Sequence, residues 1–164
     1  MGYVRRAAMR DMNIAQLTQS DVVALSRLLS IDSDDYKRYF IPFATDEKSL
    51  AILLASVVQD RYWGIWFGDT LVGLFMLRGF DEGYQRPSFG VYIACAYSGK
   101  GLARLALEYC ISWCRLNDIN RMMLKVHPEN CYARQTYEDA GFVSTEICER
   151  TGHTIMERHW GERQ

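Results

Sequence analysis

The sequence lacks a surplus of charge: 19 Lys and Arg against 20 Asp and Glu leave a formal net charge of -1 over 164 residues. No global basic field recruits nucleic acid or anionic lipid, although a local basic groove is compatible with that balance. A long apolar run is missing too. The longest, Leu50 to Val58, is broken by Ser56 and falls well short of the roughly 20 residues that cross a bilayer. Arg5, Arg6 and Arg10 have no apolar segment behind them, so the pattern of a secretory signal is absent. There is no Cys-x-x-Cys pair, and the cysteines are odd in number: Cys95, Cys110, Cys114, Cys131 and Cys148. Together these absences lead to the expectation of reduced thiols in a cytoplasmic protein, with no nucleic-acid and no membrane partner. Cys110 and Cys114 stand one helical turn apart, but no His or second cysteine pair lies at ligand spacing. Buried packing is therefore expected there, and no metal.

What is present is an ordinary globular composition, 49% hydrophobic and 24% charged, in a length that suits one domain with a full core. Residues 1–11 carry no pattern and read as a mobile tail, leaving 12–160 as the domain. Asn13 to Leu17 reads as a first strand. Ser20 reads as an N-cap, with Val22, Leu25, Leu28 and Leu29 recurring at helical period behind it. Ile31 to Phe43 mixes carboxylates with Tyr36, Tyr39, Phe40 and Pro42. It is compatible with a loop or a broken helix, either covering the core or touching substrate. A second helix is expected from Thr45 or Asp46, and Tyr62 to Phe67 with Leu71 to Leu77 form a hairpin around Gly68-Asp69. The loop from Gly79 to Pro87 holds Asp81, Glu82, Phe80 and Tyr84. Two uses suit it, an acceptor-binding wall or a solvated tip.

The rest of the chain is organised around Pro87 to Phe142. A strand ending at Ile93 runs into the turn Ser98, Gly99, Lys100, Gly101, Leu102, Ala103, and then into an amphipathic helix carrying Leu102, Leu105, Ala106, Tyr109, Cys110, Trp113 and Cys114. The strand Met122 to Val126 completes a right-handed parallel βαβ unit. A glycine turn opening a helix aims unpaired backbone N–H groups and the positive end of the helix dipole at one point, a seat for phosphate. Taken alone the turn is weakly specific. A Rossmann fingerprint wants a third glycine and an acidic residue closing the second strand, where this chain has His127; a Walker A loop wants Gly-Lys-Ser/Thr, and Lys100 is followed by Gly101. Downstream, Asn130 and Tyr137 lie two helical turns apart, about 10 Å along one face. Between them Ala133 is small enough to let an extended ligand pass. Gly141 ends the helix and Phe142 returns to the core. Phe142 to Ile147 and Thr154 to Arg158 form a closing hairpin, whose edges are compatible with a homodimer.

On these residues the chain resembles motifs A and B of the GNAT superfamily of acetyl-CoA-dependent N-acetyltransferases. The later pattern of Asn, Ala, Tyr and Gly-Phe is matched in full by Asn130, Ala133, Tyr137, Gly141 and Phe142. The earlier one, Gln/Arg-x-x-Gly-x-Gly/Ala, is met from Gly99 to Ala103 but departs at Ser98, where a long donor is usual. The resemblance implies a mixed α/β fold, with a twisted sheet of about six to seven strands flanked by about four helices. That sheet would be mostly antiparallel, with a central parallel pair splayed at the cofactor slot. It implies acetyl-CoA as co-substrate, its pyrophosphate held by backbone from Gly99, Lys100, Gly101, Leu102 and Ala103, with Lys100 or Arg104 supplying charge in place of the missing donor. It also implies that the pantetheine arm pairs with Ile93 and Cys95 and bonds Asn130, and that Tyr137 sits by the sulfur.

The chemistry expected of such a site follows from proton transfer. A primary amine near pKa 10.4 is protonated at pH 7, and exposing its lone pair costs about 4 to 5 kcal/mol. A carboxylate, or a water held by one, has to take that proton. Glu82 is the preferred base, with Asp81, His127 and Glu129 as alternatives. Tyr137 is suited to protonate the departing thiolate. Cys131, beside Asn130, could carry an acyl group in a two-step route, but buried packing is the expectation for it. The leading function is N-acetylation of a small amine, a metabolite or amino sugar enclosed by Phe80 to Tyr84 and Asp32 to Tyr39. The alternatives are a protein or peptide N-acetyltransferase and a non-catalytic acyl-CoA sensor.

Overall fold

The structure, a computed structural model, describes residues 7–40 and 43–161. Residues 1–6 of the expected tail, and Ile41 and Pro42, lie outside the described residues. The last two residues of that tail are held: Arg10 lies 4.1 Å over the Phe67 ring, and Asp11 O accepts from Gly68 N.

Among the described residues seven strands form one sheet in the order β1-β2-β3-β4-β5-β7-β6. They are β1 (Met12–Gln16), β2 (Arg61–Phe67), β3 (Thr70–Arg78), β4 (Ser88–Ile93), β5 (Arg121–Val126), β6 (Val143–Ile147) and β7 (Thr154–His159). Every pairing is antiparallel except β4 with β5. Among the described residues five helices flank the sheet: α1 (Val22–Ser30), α2 (Asp34–Lys37), α3 (Glu47–Ser56), α4 (Leu102–Leu116) and α5 (Cys131–Asp139). The uncertain segment before Phe43 thus holds one short helix, started by the Ser33 hydroxyl accepting from Tyr36 N.

The two faces of the sheet carry separate cores, which is what alternation along a strand buried on both sides requires. On one face, Leu25, Leu28, Leu29 and Leu50 of α1 and α3 pack on Leu74, Met76 and Tyr92. On the other, Ala106, Leu107, Cys110, Ile111 and Cys114 of α4 pack on Phe75, Leu77, Phe89, Met122 and Leu124. Cys110 and Cys114 are therefore core residues, and burial pushes both thiols up, Cys114 to about 12. Helix α1 starts differently from the expectation. Thr18, not Ser20, makes the capping box, with Asp21 Oδ2 accepting from Thr18 N at 2.8 Å and a 3-10 turn intervening before α1. Among the described residues no helix is long and apolar enough to cross a membrane.

Candidate active site

The parallel pair is short. Strands β4 and β5 are in register only at Ser88 with Met123 and Phe89 with Leu124, and beyond Phe89 they part. Ala94 N donates to Val72 O, so Ala94, Tyr92 and Gly90 direct their backbone groups to β3. By alternation Val91 and Ile93 direct theirs into the gap beside β5. The gap is a V whose vertex lies at Phe89 and whose mouth lies at the carboxyl ends of both strands.

At the end of the β4 arm the chain makes a 3-10 turn (Cys95–Tyr97) and then the glycine turn. Gly99 and Gly101 have φ of +70° and +83°, and a Cβ on either would meet open space, so backbone conformation and not crowding demands glycine here. Gly101 is the N-cap of α4, and its carbonyl accepts the first helical bond from Leu105 N at 3.0 Å. The N–H groups of Leu102, Ala103 and Arg104 are therefore the unpartnered donors of the first turn. Ser98 faces inward to the turn, its hydroxyl donating to Cys95 O at 2.8 Å. Of the two cations expected to replace a long donor, Arg104 is held by Glu108 at 3.0 Å, whereas Lys100 has no ion pair among those of the described residues. An open anion cradle at the head of a 15-residue helix, continuous with a strand gap, fits a phosphate-bearing chain such as coenzyme A.

Helix α5 stands on the same face as α4. The Asn130 carbonyl oxygen accepts from Ala133 N at 3.3 Å as its N-cap, which leaves the side-chain NH2 free of that bond. At the other end Gly141 takes φ of +86°, with Gly141 N bonded to Glu138 O and Phe142 N to Tyr137 O, a Schellman stop. Arg158 closes the same end by donating to Ala140 O at 2.8 Å. The stop fixes Tyr137 in the last turn. Its half-buried ring packs edge-on to Phe89 at 6.4 Å and to Phe142 at 6.3 Å, which sets it at the vertex of the V. Burial pushes its hydroxyl up to about 12.

Three expectations are corrected. Glu82 lies in the loop leading into the amino end of β4, while the V widens toward its carboxyl end, so six residues of strand, roughly 20 Å, separate that loop from the mouth. The loop is tied to the start of β2 by Asp81, whose carboxylate accepts from Gln59 N at 2.6 Å and Val58 N at 3.1 Å. Those bonds hold the Asp81 carboxyl below the usual range. Asp81 is thus turned to the start of β2, and Phe80 and Tyr84 line a cavity with Asn120 and Arg121 at the amino end of β5, not at the mouth of the V. Next, the Cys95 amide does not extend the β4 edge: it donates to Asp32 Oδ2 at 3.0 Å because the chain has already turned. Finally, Cys131 is exposed, not packed. It precedes Ala133 by two residues, about 200° round the helix from the inward-facing stripe of Ala133, Tyr137 and Ala140.

The side of the V opposite α4 and α5 carries contacts that sequence reasoning missed. Asp32 accepts a short hydrogen bond from the Tyr92 hydroxyl as well as the Cys95 amide. Tyr36 donates to Ile93 O at 2.7 Å. Further along the same segment, Tyr39 stacks on His127 at 4.7 Å, and His127 meets His153 edge-on at 5.3 Å. Residues 32–39 thus form a strap that touches the β4 arm through Tyr36 and the end of the β5 arm through Tyr39. These pairs span 57 or more residues, and the only local signal was the buried phenol of Tyr92, which needs a partner.

Beside the strap, the turn between β6 and β7 brings Cys148 to Lys125, with Nζ to Sγ at 3.7 Å. Hydrogen bonds from the Thr151 hydroxyl and amide, aided by Lys125, lower the Cys148 thiol to about 7. Iodoacetamide should therefore label Cys148 before any other cysteine at pH 7, at a rate half-maximal near that pH, with Cys110 and Cys114 protected. Peptide mapping of labelled protein across pH 5.5 to 9 checks this, and a midpoint above pH 8.5 contradicts it.

A splayed parallel pair, a glycine turn heading a long helix on one arm and a phenol at the vertex define the class of acetyl-CoA-dependent N-acetyltransferases. Family comparison agrees: the model described as the acetyltransferase (GNAT) family matches residues 25–142, and the chain belongs to that family. Solved structures share the fold. The ribosomal-protein-S5-alanine acetyltransferase from Vibrio fischeri matches with a TM-score of 0.75 at 15% identity, over 93% of this chain and 97% of its own. PaiA N-acetyltransferase from Thermoplasma acidophilum, in complex with coenzyme A, gives 0.72 at 18% over 92% and 99%. YncA from Salmonella typhimurium, with its cofactor acetyl-CoA, gives 0.75 at 17% over 94% and 96%. No curated protein matches the chain by sequence.

Proposed function

We propose that this acetyltransferase acts on the primary amine of a small molecule, by direct attack within a ternary complex. The observation that carries the reading is the strap. Anchored on one arm of the V by Tyr36 and at the end of the other by Tyr39, it roofs the face from which an acceptor would come. An approach bounded by the strap and the β6–β7 turn suits a compact amine better than an extended chain. The similarity to a ribosomal-protein-S5-alanine acetyltransferase supports the second reading, a protein N-terminus as acceptor.

Bound acetyl-CoA would supply an activated acetyl group as a thioester. The N–H groups of Leu102, Ala103 and Arg104, with Lys100, would hold its pyrophosphate. Val91 and the Ile93 amide would pair with the pantetheine arm, the Ile93 carbonyl being held by Tyr36, and the free NH2 of Asn130 would bond it past Ala133. Tyr137, with its hydroxyl raised to about 12, stays protonated at neutral pH and is suited to give a proton to the departing sulfur.

The test is thiol release from acetyl-CoA with two acceptor panels, small amines and peptides with free N-termini and lysines. Turnover confined to the small amines is expected. Turnover confined to the peptides overturns the small-acceptor reading in favour of the second one.

A further inference from the structure

Resting on the small-amine reading, we propose that the acceptor carries a carboxylate beside its amine, held at the mouth of the V by Lys125, His127 and His153. Strand β5 buries Met122, Leu124 and Val126 against α4, so the exposed Lys125 lies on the opposite face, the one the strap covers. His127 follows on that face just past the strand end. Its ring is clamped between Tyr39 and His153, and its Nδ1 accepts from Glu129 N at 3.2 Å. A neutral imidazole bonded in that way carries its proton on Nε2 and offers a donor, not a lone pair. His127 therefore presents an N–H outward and is poorly suited to the base role considered for it above.

The charges around this donor are mostly of one sign. His153 is held below its usual pKa by burial first, and then by His127, Lys125 and Arg150. Neither Lys125 nor Arg150 takes part in an ion pair among the described residues. The nearby carboxylates are otherwise placed: Glu129 acts on Arg38, which lies 4.5 Å over the Tyr39 ring, and Glu149 is exposed on the β6–β7 turn. Cys148, ionising near pH 7, offsets Lys125 in part from the hairpin side. Two imidazoles and two cations with no carboxylate ion-paired to either cation are mutually repulsive, and an anionic ligand turns that repulsion into attraction. A neutral or cationic amine finds no such gain. An α- or β-amino acid brings its carboxylate within a few ångströms of its nitrogen, the compact geometry that the roofed mouth admits.

The experiment uses the full chain with acetyl-CoA and reads thiol release for the common L-amino acids and β-alanine, each against its own carboxamide. The expected result is at least one free acid favoured over its amide by tenfold or more in kcat/KM, the difference lying in KM. Lys125→Met should abolish that preference and Lys125→Arg should restore most of it. Because a variant can misfold, a second readout uses wild type alone: the preferred acid should slow iodoacetamide labelling of Cys148, beside Lys125, and its amide should not. Amides used as well as acids, a preference that survives Lys125→Met, or no protection of Cys148 overturns the proposal while leaving a small-amine acetyltransferase in place. Turnover of peptides only removes the small-acceptor reading beneath it. Binding of acetyl-CoA by calorimetry without thiol release for any amine removes catalysis itself, and this proposal with it.

Discussion

Tyr137→Phe should lower kcat for acetyl transfer tenfold or more while leaving acetyl-CoA affinity within about twofold of wild type. The substitution deletes one oxygen and keeps the ring, so the edge-on contacts with Phe89 and Phe142 that place it at the vertex survive. In the proposed mechanism, ring packing and the backbone cradle at Gly99 to Ala103 carry binding, and the hydroxyl carries proton delivery. A loss confined to kcat has the signature of an interaction made in the transition state. With the hydroxyl raised to about 12 by burial, wild-type activity should show no fall from Tyr137 ionisation below pH 10. The same shift has a stability counterpart. An unfolded tyrosine ionises near 10, so this group's contribution is complete below that pH and is lost as pH rises through about 12. Tyr137→Phe should lack that alkaline decline. Steady-state kinetics paired with calorimetry for acetyl-CoA decides the matter: equal kcat in the two proteins removes Tyr137 from the mechanism, and a weakened affinity assigns it to binding.

The local elements that frame the candidate site were readable in advance. Gly99 and Gly101 must take positive φ, α4 shows its buried stripe in Ala106, Cys110 and Cys114, and Asn130, Tyr137 and Gly141 are set by caps within one helix. Each depends on neighbours within a turn or two, where residue type is informative. What was misread depends on the path of the sheet. Glu82 is close to β4 in sequence, but its loop sits at the amino end of that strand while the V widens toward the carboxyl end. Asp32 bonds Tyr92, and Tyr39 stacks on His127, only because α1 returns the chain across the carboxyl ends of the central strands. Neither pair has a periodicity or a spacing to announce it. Cys131 was misjudged for a smaller reason: the exposed start of an amphipathic helix depends on which residues make its stripe, and a one-position error in phase turns a side chain by 100°.

The second large effect is expected at the strap. Asp32→Ala should destabilise the protein by about 3 kcal/mol, a fall in Tm of roughly 10 °C, and weaken acetyl-CoA binding severalfold. Two donors lose their acceptor at once. The Tyr92 hydroxyl is in a residue only 4% exposed, where an unpartnered polar group is costly, and the Cys95 amide begins the turn that leads to Gly99. Tyr92→Phe alone removes a donor together with its need and should cost about 1 kcal/mol. In the double variant no buried hydroxyl is left stranded, so its stability should be no worse than that of Asp32→Ala. The two single losses should then exceed the double loss by about 1 to 2 kcal/mol. Asp32→Asn, which keeps an acceptor for the Cys95 amide, should retain most of the coenzyme affinity that Asp32→Ala loses. Thermal melts of the four proteins with coenzyme titrations separate these effects. Strictly additive losses would show that Asp32 and Tyr92 are not coupled. An unchanged coenzyme affinity in Asp32→Ala would show that the glycine turn holds its shape without the strap, and that the roof over the V serves the acceptor alone.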